Sequence, residues 1–241
     1  MNENKKFLKR LQCLMPKHVK PKFTHDEDLL AWNQEQGRLS SEAILKKNKK
    51  TKIKHILGQS GIKELYLNCS FKNYRIEHEG HKKVARAAKK YAKEFNKNIS
   101  SFIFSGKPGT GKNHLASAIG NYLILNGKSV LIITVADLMS NIKSTFNGNS
   151  DTTEETLLKN LSNVDLLMID EIGMQIESKY EKIIINQIVD RRSSSKRSTG
   201  MLSNLNYRGL KALLGERVID RMRLGNSLWL TFEWESYRRH I

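Results

Sequence analysis

A seven-residue loop from Gly106 to Lys112 constrains this chain of 241 residues more than any other feature. The loop reads Gly-Lys-Pro-Gly-Thr-Gly-Lys, follows the apolar run 102–104 and precedes a helical pattern over 112–125. In that setting, backbone amides and a helix N-terminus converge on a phosphate group. We therefore expect the loop to bind ATP, with Lys112 at the β- and γ-phosphates. The other predicted contacts are Gly106, Lys107, Pro108, Gly109, Thr110 and Gly111.

The residue after the loop, Asn113, departs from the usual pattern. A Ser or Thr normally stands there, and its hydroxyl ligates Mg²⁺. The amide oxygen of Asn113 is also a suitable ligand for a hard cation, but its reach and dipole differ from those of a hydroxyl. We expect Asn113 to contact the nucleotide and Mg²⁺, and we expect slow hydrolysis.

Acidic and amide side chains follow two further apolar strand patterns. Asp170 and Glu171 come directly after the run 166–169, and Asn204 follows the strand pattern over 200–202. Ligands of open α/β sheets bind at the carboxyl ends of the strands. We therefore expect Asp170 to hold Mg²⁺ through water, Glu171 to polarise the attacking water and Asn204 to orient it. The alternatives are a capping role for the acids and a turn for Asn204.

Two arginines, Arg217 and Arg221, stand four residues apart in the helical pattern over 210–222, so they share one face of that helix. Asp220 is next to Arg221 in the sequence. These residues alone favour a surface helix with salt bridges. The alternative is an arginine that reaches the γ-phosphate of a neighbouring subunit and makes hydrolysis depend on assembly.

Strand and helix patterns alternate from residue 101 onward, which predicts an α/β fold with a parallel sheet and helices on both faces. The predicted strands are 102–104, 130–133, 166–169, 200–202 and 228–232. The predicted helices are 81–95, 112–125, 136–146, 154–161, one that opens at residue 178, and 210–222. Capping boxes over 152–155 and 178–181 mark two of these helix starts.

The first part of the chain predicts a small all-α domain, 1–57, which a linker, 58–76, joins to the α/β domain, 77–241. Helices are expected over 2–14, from a capping box at Thr24 to Gly37, and over 41–57. The linker lacks helical periodicity.

Composition limits the classes of partner and compartment. The net charge of +18 attracts polyanions such as nucleic acids, although AT-rich coding also produces a composition rich in Lys, Asn and Ile. No apolar run approaches the roughly 20 residues that span a bilayer. Lys9 and Arg10 interrupt the apolar N-terminus, which makes a poor signal peptide. Cys13 and Cys69 stand alone, so we expect a cytoplasmic protein without a disulfide framework or zinc site.

Three stretches carry a resemblance to a known family: 102–114, 166–173 and 215–223, which read FIFSGKPGTGKNH, LLMIDEIG and GERVIDRMR. Together with the stretch CSFKNY over 69–74 and with Asn113, they resemble the DnaC-type bacterial replicative helicase loaders. These loaders are AAA+ P-loop ATPases of the DnaC/IstB-like group. The similarity covers nearly the whole chain.

The resemblance implies an AAA+ core and N-terminal helices that grip a hexameric DnaB-type replicative helicase. Because the sequence ends at Ile241, soon after the third of these stretches, we expect the usual AAA+ helical lid to be absent. The resemblance also implies self-association into a spiral that opens the helicase ring and delivers it onto single-stranded DNA at replication initiation or restart. ATP and Mg²⁺ are the implied cofactors. Hydrolysis would be slow, stimulated by single-stranded DNA and assembly, and would release the loader. The implied location is the bacterial cytoplasm, at the nucleoid during replication.

The same resemblance gives roles to further residues. Arg221 matches the arginine-finger position of the family, with Arg217 as its helper. The helices over 136–146 and 154–161 match an extra motif that faces DNA in such loaders. Since aromatic rings stack on unpaired bases and lysines follow phosphates, the predicted DNA contacts are Lys143, Phe146, Lys179 and Tyr180. The alternative for Phe146 is packing at a helix end.

Two other functions stay open. An IstB-type transposition-helper ATPase shares this core, but the short N-terminal domain argues against it. A helicase-binding adaptor that holds nucleotide without hydrolysis fits Asn113, whereas Glu171 and Asn204 argue against it.

Overall fold

The computed structural model describes residues 60–95, 99–146, 153–174 and 179–237, together with 6, 10, 14, 27, 28 and 30–40 near the N-terminus. The chain divides into two compact units, Met1–Lys52 and Ile53–Ile241. None of the helices in these described ranges is long and apolar enough to cross a membrane.

All described residues of the first unit are helical. The helix over 30–40 continues through Gly37, so the prediction that Gly37 ends it was wrong. A single glycine inside a helix costs only about 1 kcal/mol relative to alanine, which neighbouring residues readily offset. Within this helix, Arg38 pairs with Glu35 at 2.7 Å. The Thr24 cap and the helix predicted over 41–57 lie outside the described residues.

The second unit is built on a five-stranded sheet in which every pairing is parallel. The strands are β1 Phe102–Gly106, β2 Val130–Thr134, β3 Leu166–Ile172, β4 Ser198–Ser203 and β5 Leu228–Phe232. Their order in the sheet is β2-β3-β4-β1-β5, so the first strand in the chain lies between the last two. The predicted α/β fold is therefore confirmed, and each strand contains the run predicted for it.

Helices cover both faces of the sheet, because successive strand residues point to opposite sides. The helices are α1 Glu79–Glu94, α2 Lys112–Leu125, α3 Val135–Ser144, α4 Glu154–Asn163, α5 Lys179–Ser194, α6 Tyr207–Leu214 and α7 Glu216–Met222. Phe102 and Met168 pack in one apolar layer with α1 and α2, whereas Ile103 and Leu167 pack in the other with α3 to α7.

Several helix boundaries differ by one to three residues from the predictions, and two of the differences have a visible cause. The single helix expected over 210–222 is broken at Gly215, whose φ of 86° is left-handed and whose N–H bonds to the Lys211 carbonyl. Glycine adopts this conformation without the strain that other residues would meet. The cap of α4 is Thr153, whose side chain accepts from the Thr156 N–H, one residue later than the predicted box. The predicted cap of α5, Ser178, lies outside the described residues.

The described part of the predicted linker, residues 60–76, packs against the sheet. The Ile132 N–H donates to the Ser60 carbonyl at 2.7 Å, at the open edge of β2. Ile62 and Tyr74 are buried in the apolar layer that contains α1 and α2. A short 3₁₀ turn, Glu64–Tyr66, lies between them. This stretch therefore packs as part of the second unit.

One buried arginine, Arg192 near the end of α5, ties three elements together. Its guanidinium donates to the Leu161 carbonyl at 2.8 Å and to the Val164 carbonyl at 3.0 Å, at the end of α4. It also donates to the Ser198 carbonyl at the start of β4. Burial lowers the pKa of Arg192 to about 9. The backbone carbonyls thus satisfy a cation that lies inside the fold.

Candidate nucleotide-binding site

A cavity of about 630 Å³ opens at the carboxyl ends of β1, β3 and β4. The phosphate-binding loop between β1 and α2 lines it together with Asp170, Glu171 and Asn204. Of the predicted nucleotide contacts, the cavity is lined by Pro108, Gly109, Thr110, Gly111, Lys112, Asn113 and Asp170. Gly106 and Lys107 do not line the cavity, and their carbonyls accept hydrogen bonds from the Lys112 ammonium.

Lys112 begins α2 and extends back along the loop. Its Nζ donates to the carbonyls of Gly106 and Lys107, both at 2.7 Å, and to Asn204 Oδ1 at 3.0 Å. Burial lowers the pKa of Lys112 to about 8, with the nearby Asp170 carboxylate opposing that shift. A buried ammonium held by neutral acceptors is well placed to pair with a phosphate anion. The bond to Asn204 also joins the predicted water-orienting amide to the phosphate-binding lysine.

Asn113 and Asp170 are joined directly. Asn113 Nδ2 donates to Asp170 Oδ2 at 2.6 Å, while the Glu171 N–H donates to Asp170 Oδ1 at 2.7 Å. Burial raises the pKa of Asp170, and these two hydrogen bonds oppose that shift. A carboxylate and an amide oxygen are hard ligands, and Mg²⁺ at nucleotide sites needs few protein ligands because phosphates and water supply the rest. These residues therefore fit the predicted Mg²⁺ site.

Glu171 has an unusual backbone. Its φ is 61°, a left-handed value that is rare for residues other than glycine. The pairing of β3 with β4 shifts register between Ile169 and Ile172, on either side of it. The side chain is exposed and lines the cavity, beside the Asp170 carboxylate. Strained backbone of this kind is concentrated at functional sites, which is consistent with the predicted role of Glu171 toward water.

Arg217 and Arg221 lie outside this cavity, on α7. Both pair with Asp190 of α5 rather than with the neighbouring Asp220. The Asp190 carboxylate is 2.7 Å from an Arg217 nitrogen and 2.5 Å from Arg221 Nε, and Arg221 also donates to the Ser193 hydroxyl at 2.8 Å. The salt-bridged helix expected from the residues alone is therefore present, with a different acidic partner.

Two of the predicted DNA contacts lie side by side. Phe146, just after α3, and Tyr180, at the start of α5, have ring centroids 6.3 Å apart. The Phe146 side chain is 60% exposed, so it does not simply pack a helix end. The Tyr180 hydroxyl donates to Glu154 Oε2 at 3.0 Å. Lys143 and Lys179 are exposed on α3 and α5 respectively.

The remaining cavity walls were not predicted as site residues. Segment 65–75 contributes aromatic and polar side chains, and Trp234 and Tyr237 come from the segment after β5. The Tyr74 hydroxyl is buried without a hydrogen-bond partner among the described residues, and burial raises its pKa. A buried orphan hydroxyl in a cavity wall favours a polar ligand there. The stretch CSFKNY carried part of the resemblance, and it is the sequence signal that could have pointed to this wall.

The chain matches the family model described as IstB-like ATP binding protein over residues 33–240. It is 82% identical over 241 residues to the replicative helicase loader DnaC of Buchnera aphidicola subsp. Baizongia pistaciae (strain Bp), covering 100% of this chain and 98% of that protein. The chain belongs to the DnaC family. It is also 62% identical over 234 residues to the DnaC loader of Escherichia coli (strain K12), covering 97% of this chain and 95% of that relative.

A solved structure of a DnaC helicase loader shares the fold of this DnaC-family chain. The TM-score is 0.62 with 23% sequence identity, and the alignment covers 70% of this chain and 99% of that one. This likeness supports the parallel α/β fold of the sheet and the surrounding helices. The IstB-like family model adds that the loop of this DnaC-family chain belongs to an ATP-binding core.

Proposed function

We propose that this chain loads a hexameric replicative helicase onto single-stranded DNA and is released when it hydrolyses ATP. The observation that carries the proposal is the high identity, over nearly the full length of both chains, to proteins named replicative helicase loader DnaC. The cavity supports the ATP-dependent part, because Lys112, Asp170 and Glu171 line it together.

Each site residue has a separate role in hydrolysis. Lys112 binds the β- and γ-phosphates, and Asp170 with Asn113 holds Mg²⁺, which neutralises phosphate charge when it is bound. Glu171 accepts a proton from the attacking water, and Asn204 orients that water. The hydrogen bond from Asn113 to Asp170 competes with metal binding and supports slow turnover.

Subunit contacts complete the site in this proposal. Arg221 acts as the finger that stabilises the γ-phosphate of a neighbouring subunit, and Arg217 assists it. In support, both side chains lie outside the chain's own cavity, and Asp190 holds them together. Hydrolysis therefore follows assembly into a spiral on the helicase.

Phe146 and Tyr180 form the DNA contact in this proposal, with Lys143 and Lys179 at the phosphates. The two neighbouring aromatic rings offer a stacking surface that tolerates any base, and the net charge of +18 adds attraction to the backbone. We further propose that residues 1–57 bind the helicase, that 58–76 connect them to the ATPase domain, 77–241, and that the protein acts in the bacterial cytoplasm at the nucleoid.

The deciding experiment combines the purified chain with the replicative helicase of its own organism. We expect a stable complex by size-exclusion chromatography with ATP, and ATP hydrolysis that rises when single-stranded DNA is added. Absence of a complex would overturn the loader function and favour an IstB-type transposition helper. If a complex forms but single-stranded DNA does not change its rate of hydrolysis, the adaptor function is favoured. The hydrogen bond between Asn113 and Asp170 is the observation that supports this alternative.

A further inference from the structure

The segment after β5, residues 233–237, lies against the phosphate-binding loop and bonds to its backbone. The Tyr237 N–H donates to the Gly109 carbonyl at 2.9 Å. The indole N–H of Trp234 donates to the Thr110 carbonyl at 3.0 Å. Two consecutive carbonyls of the loop are thus bound by donors that come from the other end of the domain sequence.

These two bonds determine where the next two amides of the loop point. The described peptide bonds are trans, so each carbonyl and the N–H of the following residue lie in one plane and point in opposite directions. A donor on the Gly109 carbonyl therefore directs the Thr110 N–H away from the segment. A donor on the Thr110 carbonyl directs the Gly111 N–H in the same way. Both residues line the cavity, where loop amides bind phosphate.

The segment lies so close to the loop that only glycine fits at position 109. A Cβ atom on Gly109 would stand 2.0 Å from Ser236 Oγ, and the φ of +74° is itself left-handed. Glycine at position 109 therefore permits both the left-handed turn of the loop and the close approach of segment 233–237.

Aromatic packing positions the Trp234 indole independently of its hydrogen bond. Its ring centroid is 4.5 Å from that of His81, 5.1 Å from His78 and 5.2 Å from Phe232. At the far end of the segment, the Tyr237 hydroxyl is hydrogen-bonded to Arg75, whose guanidinium lies 5.0 Å from the Tyr237 ring centroid. Both ends of the segment are therefore anchored to the wall formed by residues 75–81.

We propose that the Trp234 indole and the Tyr237 backbone N–H are positioning groups for the phosphate-binding loop, holding the Thr110 and Gly111 amides in the orientation that binds the β- and γ-phosphates of ATP. The inference rests on the ATP binding that is part of the proposed function. It is independent of the helicase, of DNA and of Arg221.

The first test replaces Trp234 by Phe, which keeps an aromatic ring and removes the indole N–H. The matched control is Trp229→Phe, because the Trp229 indole donates to the Ser105 hydroxyl at 3.0 Å, outside the loop. We expect the dissociation constant of ATP, measured by calorimetry on the full chain, to rise about three- to tenfold in Trp234→Phe. It should stay within twofold in the control, with similar melting temperatures for both variants. Equal dissociation constants for the two variants would overturn the proposal.

The second test addresses the backbone bond of Tyr237. Tyr237→Pro removes the N–H that reaches Gly109, whereas Tyr237→Ala removes the same side chain and keeps that N–H. We expect Tyr237→Pro to bind ATP at least about threefold more weakly than Tyr237→Ala. Identical affinities in the two variants would show that the backbone bond does not orient the loop.

Tryptophan fluorescence distinguishes a role of Trp234 in positioning the loop from a role in the stability of the whole fold. In a Trp32→Phe, Trp229→Phe background, Trp234 is the one remaining tryptophan of the sequence. We expect its emission to change on saturation with ATP or ADP, because the Thr110 carbonyl that accepts its hydrogen bond belongs to the peptide next to the proposed phosphate-binding amide of Gly111. Unchanged emission at nucleotide saturation would contradict the positioning role of Trp234 but not ATP binding by the chain. Failure of the unmodified chain to bind ATP would instead overturn the proposed function.

Discussion

Asn113 Nδ2 lies 2.6 Å from Asp170 Oδ2, so the residue in the usual Mg²⁺-ligand position donates a hydrogen bond to the carboxylate that we propose as the metal ligand. Mg²⁺ must share that carboxylate with the amide or displace it. We expect Asn113→Ser to lower the Mg²⁺ concentration for half-maximal hydrolysis about three- to tenfold and to raise kcat, because a hydroxyl can ligate the metal. A Mg²⁺ titration of ATPase activity measures both.

The control for this substitution is Asn126→Ser on the same helix. Asn126 caps the end of α2 and donates to the Tyr122 carbonyl at 2.7 Å, away from the cavity. The Mg²⁺ dependence of ATP hydrolysis by Asn126→Ser should match that of the unmodified chain. Indistinguishable Mg²⁺ curves for the two serine variants would refute the role given to Asn113.

Lys112 makes ATP affinity depend on pH. Burial lowers its pKa to about 8 in the free protein, and a bound phosphate would raise that pKa again. Binding therefore takes up a proton above about pH 8, and affinity should fall as pH rises from 8 to 9.5. Calorimetry in two buffers of different ionisation enthalpy would detect the proton. In Lys112→Arg the charge persists, so any remaining binding should lose this slope; a flat profile for the unmodified chain would contradict the assignment.

Arg221→Ala should remove assembly-dependent hydrolysis. We expect the helicase- and DNA-stimulated rate to fall at least about 100-fold, because an arginine finger contributes strongly to the transition state. ATP binding by the free chain should not change, since Arg221 does not line its own cavity. Lys211→Ala, which removes an exposed cation paired with Glu216, is the control. If both variants lose the same activity, Arg221 is not the finger.

Phe146→Ala and Tyr180→Ala should each weaken single-stranded DNA binding about 10- to 100-fold, because base stacking contributes about 1–3 kcal/mol per aromatic side chain. Fluorescence anisotropy with a labelled oligothymidine measures the effect. Tyr180→Phe keeps the ring, loses the bond to Glu154 and should bind nearly normally. Tyr207→Ala removes an aromatic ring that lies beneath Arg223, outside the proposed DNA contact, and serves as control. A comparable loss in Tyr207→Ala would argue against a stacking site.

Arg192→Met should destabilise the fold by about 3 kcal/mol or more, because it leaves several buried carbonyls without a donor. Thermal and urea unfolding measure the loss. Arg191→Lys, one residue earlier, changes an exposed arginine that pairs with Glu155 and should leave the melting temperature almost unchanged. Equal melting temperatures for the two variants would show that the carbonyls around Arg192 find other partners.

The local parts of the fold and site were predictable from sequence. The alternation of strands and helices and the loop from Gly106 to Lys112 are short-range patterns, and the structure places Asp170, Glu171 and Asn204 at one cavity as expected. These predictions succeed because parallel strands bring their carboxyl ends to one edge.

Relationships between distant segments were not predictable. Asp190 pairs with Arg217 and Arg221 only because α5 packs against α7, and the neighbouring Asp220 was the more obvious partner in the sequence. The contact of Trp234 with the Thr110 carbonyl joins residues 124 positions apart. No periodicity in a sequence encodes such pairings, because they depend on how finished elements pack.

The left-handed backbone at Glu171 has a consequence for how this protein responds to selection. A non-glycine residue at a φ of 61° costs about 1–2 kcal/mol, a cost that glycine would avoid. Glu171→Gly should therefore yield a protein that melts at a higher temperature and no longer turns over ATP. Screens for thermal tolerance alone would enrich inactive chains at this position, so stability and turnover are opposed at a single residue.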